Sequence, residues 1–316
     1  MIEKYYDGAI EQVAAGLGTV EKNHLLVRYS GQFSVENLND TKQLEKNEDI
    51  FVQVHEFETG EITCAYEPYL TMICDGFRRY MTGTFEEFME TCDVYYLHRP
   101  VLLGYFNQDN TGREEIILLD EVAYEQERML AALERMLCAI ADRHPVLFVL
   151  NRFQLASKST MQLTARFLKC ENCNIGLVLG VSDIQAMPEF LVPDWEMLYE
   201  TLDDGSKIYH IGNSGRKKEE TIDDEKYVDY GSEKVYRKLQ NMVEFLDFDQ
   251  AAYYLETIER KIKFDNLLVD DAARFRMWLL FVKVSILRQD IPKALEICED
   301  LEKIHLAGKE ERSEEH

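Results

Sequence analysis

Cys170 and Cys173 stand as a CxxC within KCENCN, a spacing shared by zinc knuckles and redox dithiols. A zinc site needs about four ligands, and the chain has no second pair at knuckle spacing. The two thiols therefore read as part of a tight loop between a helix and a strand, with a redox role as the alternative. The 7 cysteines are odd in number and scattered, the pattern of reduced cytoplasmic thiols. His144 precedes a strand and His210 lies inside one, positions that suit structural histidines. Asp203-Asp204-Gly205 and Asp223-Asp224-Glu225 are acidic turns, without the alternating ligands and closing Glu of a calcium loop. There is no GxSxG, HExxH or GxGxxG. Neither a metal nor a cofactor is expected.

With 59 acids against 35 bases, the formal charge is -24. Such a field repels phosphate backbones, so direct nucleic-acid binding is not expected. The basic clusters Arg78-Arg79 and Arg216-Lys217-Lys218 are short, and Glu219 and Glu220 follow the second. No apolar run approaches the length of a membrane span. The opening MIEKYYDGAIEQ is acidic and amphipathic, without the apolar stretch of a signal peptide. These features predict a cytoplasmic protein with no membrane contact.

The elements that must position any site follow from hydrophobic patterning. HLLVRY (His24–Tyr29) and IFVQVH (Ile50–His55) read as buried strands. Apolar residues at helical spacing predict a helix over Tyr66–Met81. Thr84-Phe85-Glu86-Glu87 reads as an N-cap with a charged first turn. Ile116–Leu119 is a further apolar run. Met129, Leu130, Leu133, Met136, Leu137 and Ile140 form one stripe of a helix over Glu121–Arg143. Pro145–Leu150 has no polar alternation, which predicts a central strand, beside His24–Tyr29 and Asn174–Val181. Ser157–Lys169 reads as a helix and Lys207–Ile211 as an edge strand. Strands alternating with helices imply a parallel, doubly wound α/β sheet over residues 1–211.

Residues 212–232 are polar and read as a linker. Residues 233–308 read as helical throughout, and the tail 309–316 as disordered. Within the helical part, the stretch around Asp247 and Ala251 resembles that around Asp290 and Ala294, a step of 43 residues in both cases. An acid closes one helix and an alanine follows four residues later. The pattern resembles the tetratricopeptide (TPR) repeat, whose small alanine lets paired helices approach closely. An ordinary helical bundle is the alternative.

HPVLFVLNRFQLASKSTMQLTARFL (144–168) resembles the second nucleotide motif of the STAND class of signal-transduction ATPases, which are related to AAA+ proteins. That motif has an apolar strand, two acids, then apolar, His or Gln, aromatic or apolar, Ala and Asp positions. Here Gln154, Leu155, Ala156 and Ser157 keep the later positions, while Asn151 and Arg152 occupy those of the two acids. In the family, the first acid holds the magnesium shell and the second polarises the attacking water. Upstream, HLLVRYSGQFSVENLND falls where the family has its first strand and P-loop. With Gly31 as the first glycine of GxxxxGK[ST], Glu36 stands for the second glycine, Asn37 for the lysine and Leu38 for the hydroxyl residue. Ala65-Tyr66-Glu67-Pro68-Tyr69 resembles the family's entry to the next helix. The resemblance implies a P-loop-NTPase-like α/β domain with a degenerate nucleotide site, followed by TPR-like helices. It implies no ATP hydrolysis, protein partners, and a setting in bacterial signalling or transcription control. A nucleotide-binding sensor, or a fragment of a larger regulator, is the alternative.

Overall fold

Apolar runs that lack polar alternation must be covered on both faces. In the structure, a computed structural model, each such run is a strand of one parallel sheet. It describes residues 2–19, 24–30, 49–58, 60–109, 121–170, 174–182, 187–203, 208–211, 229–265 and 267–314. Gly31, Glu36, Asn37, Leu38, the run 116–119 and most of the expected linker, 212–228, lie outside these. The chain divides into two compact units, Met1–Arg113 with Arg128–Lys226, and Glu114–Glu127 with Tyr227–His316.

The first unit holds strands β1 (His24–Tyr29), β2 (Phe51–Glu56), β3 (Val146–Asn151), β4 (Ile175–Ser182) and β5 (Ile208–Ile211). Their order is β2-β3-β4-β1-β5, and every neighbouring pair is parallel. Every residue of β3 and β4 is buried. β3 is an interior strand buried on both faces, as its composition predicts, but it stands next to the β2 edge and its neighbours are β2 and β4. The expected pairing with His24–Tyr29 is corrected: β1 lies on the far side of β4. An apolar run encodes burial on two faces, whereas the neighbour is set by where the crossover lands. The stretch between β1 and β2 is long enough for the chain to cross to the other edge. β5 is an edge strand, as expected, and it pairs with β1.

On one face of the sheet lies α1 (Ile2–Gly16). Its Tyr6, Ile10 and Val13 pack on Leu25, Val27 and Tyr29 of β1, Leu147 and Val149 of β3, and Val178 of β4. Two glycines of β4 permit this approach. A Cβ on Gly176 would meet Val13 Cγ1 at 2.6 Å, and one on Gly180 would meet the Tyr6 hydroxyl and the Asn151 amide oxygen. The opposite face of β3 carries Phe148, whose ring lies edge-on to Tyr69, centroids 4.7 Å apart. Tyr69 opens α2 (Tyr69–Tyr80). Next comes α3 (Phe85–Thr91), with a full capping box between Thr84 and Glu87, the two orphan donors at its start being satisfied reciprocally. α4 (Arg99–Asn107) has no counterpart in the sequence reading. α5 (Val122–Ala141) carries the predicted apolar stripe, fully buried from Leu133 to Ile140 at the stripe positions. α6 (Lys158–Lys169) starts at Ser157, whose side chain accepts from the Thr160 N–H. α7 (Val192–Asp203) precedes β5.

The second unit contains α8 (Glu233–Glu244), α9 (Phe248–Phe264), α10 (Asp271–Leu287) and α11 (Ile291–Glu314). The turns α8–α9 and α10–α11 are alike in detail. Leu246 and Gln289 are both left-handed, with φ 65° and 61°. The Asp247 N–H bonds to Met242 O at 2.7 Å, and Asp290 N–H to Ser285 O at 2.8 Å. These bonds close the helix end on its own carbonyls, so each chain reversal costs few unsatisfied groups. Short connections of this kind make each pair antiparallel. Ala251 and Ala294 are both buried. Among the described residues, no helix is long and apolar enough to cross a membrane.

Candidate functional site

In a parallel α/β sheet, ligands are bound beyond the carboxyl ends of the strands. Tyr29, Glu56, Asn151 and Ser182 are the last residues of β1, β2, β3 and β4, so the carboxyl edge gathers them. Asn151 closes β3, between Glu56 on β2 and Ser182 on β4, and Arg152 follows it; the STAND resemblance sets its two acids at these positions.

Asn151 is fully buried, and its Oδ1 accepts the Tyr29 hydroxyl at 2.6 Å. That bond spans β4, which separates the two strands, and the bare Cα of Gly180 leaves room for it. Burial pushes the Tyr29 hydroxyl up to about 12, partly offset by the bond to Asn151 and by the Arg152 charge. Tyr6, under the same strands, is also pushed up by burial, then by Tyr29 and Glu56. Both phenols therefore stay protonated at neutral pH, as donors rather than bases.

Arg152 adopts the left-handed conformation, φ 52° and ψ 42°, as the chain turns out of β3. Its Nε lies 3.5 Å from Glu56 Oε1 at the end of β2, with both side chains partly buried. The Arg152 cation is thus paired at the carboxyl edge of the sheet. Gln154 then clamps β4: its Nε2 donates to Ser182 O at 3.1 Å, and its Oε1 accepts the Ser182 N–H at 3.3 Å. The start of α6 is tied to the stretch before α2. Ser159 Oγ accepts the Tyr66 N–H at 3.0 Å, and Thr160 Oγ1 donates to Glu67 O at 2.9 Å. The Ala65–Tyr69 stretch and the 151–160 stretch, paired in the sequence reading only by motif order, are therefore in contact.

Chemically, this edge offers a neutral amide, Asn151, and an ion-paired guanidinium, Arg152, with Glu56 as the carboxylate of that pair. Among the described residues, no group of three or more His, Cys, Asp or Glu side chains is placed to hold a metal ion. Cys170 caps α6, and its CxxC partner Cys173 lies outside the described residues. His144 stacks on Tyr80 with centroids 4.2 Å apart, a packing role. The partners Tyr29, Glu56 and Ser182 escaped the sequence reading. The available signal was a polar or aromatic residue closing an otherwise apolar strand, which marks the carboxyl edge without saying what it meets. No family model matches the chain, and no curated protein matches it.

Proposed function

We propose that the chain is a catalytically inactive, ATPase-like regulatory or scaffold protein that works through protein–protein contacts, in bacterial signalling or transcription control. In this reading its α/β unit is a degenerate STAND-like domain and its helical pairs are TPR-like. The paired Asn151 and Arg152 support the inactive half of the proposal, since neither can supply a carboxylate.

The observation that carries the interaction half is a displaced match between the two helix pairs. The 43-residue step from Asp247 to Asp290 takes Val243, Phe248, Ala252 and Leu255 onto Ile286, Ile291, Leu295 and Cys298. The first four are buried, and the second four are exposed, Leu295 at 61%. The α9 face holding Asp249, Ala252, Glu256 and Glu259 meets the second pair through two cations. Arg288 lies 3.0 Å from Asp249 and 3.6 Å from Glu256, and Lys293 lies 2.7 Å from Glu259. The same step places Leu295, Glu299 and Glu302 on α11. An end face of stacked helices is normally polar, and an apolar one asks for a cover. The cover that fits is a helical segment of a partner protein with an apolar stripe and Arg or Lys opposite Glu299 and Glu302. A second copy of this face is the less favoured partner where Glu299 and Glu302 would meet their own copies, since like charges opposed across an interface cost affinity.

The test places a photo-reactive residue at Leu295 in the native host, with Glu86 as an exposed control in the α/β unit. A specific protein cross-linked from Leu295, lost when Glu299 and Glu302 become Lys, is expected. Equal labelling from both positions would sink the interaction half. Magnesium-dependent ATP turnover that is abolished by mutating Asn151 or Arg152 would sink the inactive half.

A further inference from the structure

We propose that Cys138 and Cys170 are a redox-active dithiol, closed to a disulfide by an oxidant of the peroxide class. The two sulfurs lie 3.4 Å apart and share a hydrogen bond. Cys138 is in the last turn of α5, and Cys170 is the C-cap of α6. One helical turn earlier on each helix, Arg166 Nε meets Glu134 Oε2 at 2.7 Å. Residues 134 and 138 therefore face 166 and 170 in turn, so the helices run alongside in parallel and the ion pair holds the sulfurs in register.

Closing the bond to the usual S–S length of about 2.05 Å needs the sulfurs to approach by roughly 1.4 Å. Cys170 can supply much of this, because it stands just past the helix in extended backbone, φ -60° and ψ 140°. Both cysteines are partly exposed, so a small oxidant can reach them. Cys74 and Cys92 are different: both are buried, and burial pushes their thiols up to about 12 and about 11. The CxxC draws attention to Cys173, but the fold brings Cys138 to Cys170 from 32 positions away.

The chemistry runs in two steps. The Cys170 thiolate attacks one peroxide oxygen, the O–O bond breaks, and the leaving hydroxide departs as water, which leaves a sulfenic acid. The Cys138 sulfur then attacks the Cys170 sulfur, the S–O bond breaks, and a second water leaves with the Cys138 proton. Two thiols are oxidised and one hydrogen peroxide is reduced to two waters. In the resting state Cys138 holds its proton well above the usual thiol range, first through its hydrogen bond with Cys170, then through burial and the charges of Glu134 and Asp142. The closed loop contains β3 with Asn151, Arg152 and Gln154, so the disulfide staples the segment that forms the candidate site.

The full chain is treated with a small excess of hydrogen peroxide, alkylated with iodoacetamide, digested without reductant and analysed by mass spectrometry. The expected product is a linked pair of Cys138 and Cys170 peptides, lighter by two hydrogens and reversed by dithiothreitol. Tm should rise by about 5–10 °C on closure of this loop. The linkage should survive Cys173→Ser. In Cys138→Ser, and in Cys138→Ala as a second variant, Cys170 should stop at a sulfenic acid that dimedone traps. A Cys170–Cys173 linkage, a Cys138 still alkylated after Cys170 has reacted, or no loss of thiols overturns the proposal.

Discussion

Replacing Phe148 by Ala tests the core that carries the candidate site. Phe148 sits on β3 with no exposed surface, between the Tyr69 ring at 4.7 Å and the Phe167 ring at 6.5 Å. Removing a buried phenyl costs about 3–5 kcal/mol, with the higher values where the cavity cannot collapse. Collapse is restricted here. The Tyr69 hydroxyl is held by Thr164 at 2.6 Å, so its ring cannot swing into the space without losing a buried hydrogen bond. β2 and β4 fix the backbone on either side. The upper half of the range, about 4–5 kcal/mol, is expected. For a unit of this size that lowers Tm by roughly 8–20 °C. The chain has 2 tryptophans, Trp195 in the α/β unit and Trp278 in the helical unit. In a Trp278→Phe background, Trp195 fluorescence during urea unfolding reads the α/β unit alone. Phe148→Leu, which keeps most of the volume, should cost less than about 1.5 kcal/mol. A Phe148→Ala loss below about 2 kcal/mol would refute the argument that β3 is closed on both faces.

Two further outcomes concern the helical unit. Ala294 is 5% exposed at the start of α11, so Ala294→Trp should destabilise this unit by about 1–3 kcal/mol or more, read from the loss of helical circular dichroism on heating. An unchanged melt would show that the alanine is not at a close contact. The second outcome concerns acid. Hydrogen bonds from Lys293 and Lys263 hold the Glu296 carboxyl below its usual range. A carboxyl lowered in the folded state contributes stability above its unfolded pKa of about 4.3, and that contribution is lost as pH falls through the folded value. Because Glu296 is about half exposed, the effect should stay under about 1 kcal/mol. Glu296→Gln should remove this part of the acid sensitivity in Tm measured from pH 6 to about 3. Identical slopes for the two proteins would contradict it.

Much of the local structure is legible in the sequence because its causes are local. The strands at His24, Phe51, Val146 and Ile175 follow from apolar runs, and the starts of α3 and α6 from the capping residues Thr84 and Ser157. The likeness of the turns at Leu246 and Gln289 follows from a repeated acid and alanine. α4 and α7 escaped because neither has a periodic stripe that stands out from its surroundings. The positions of Asn151 and Arg152 could be found by motif, but what they do could not. Their partners Tyr29 and Glu56 come from strands whose order depends on the crossovers, and the Tyr29–Asn151 bond needs Gly180 between them. Cys138 and Cys170 meet for the same kind of reason, since two helices laid on one face of the sheet take a register that neither helix specifies alone. Periodicity and capping act over a few residues and are written in each segment. Contacts between segments depend on strand order and helix register, which arise only when the whole unit packs.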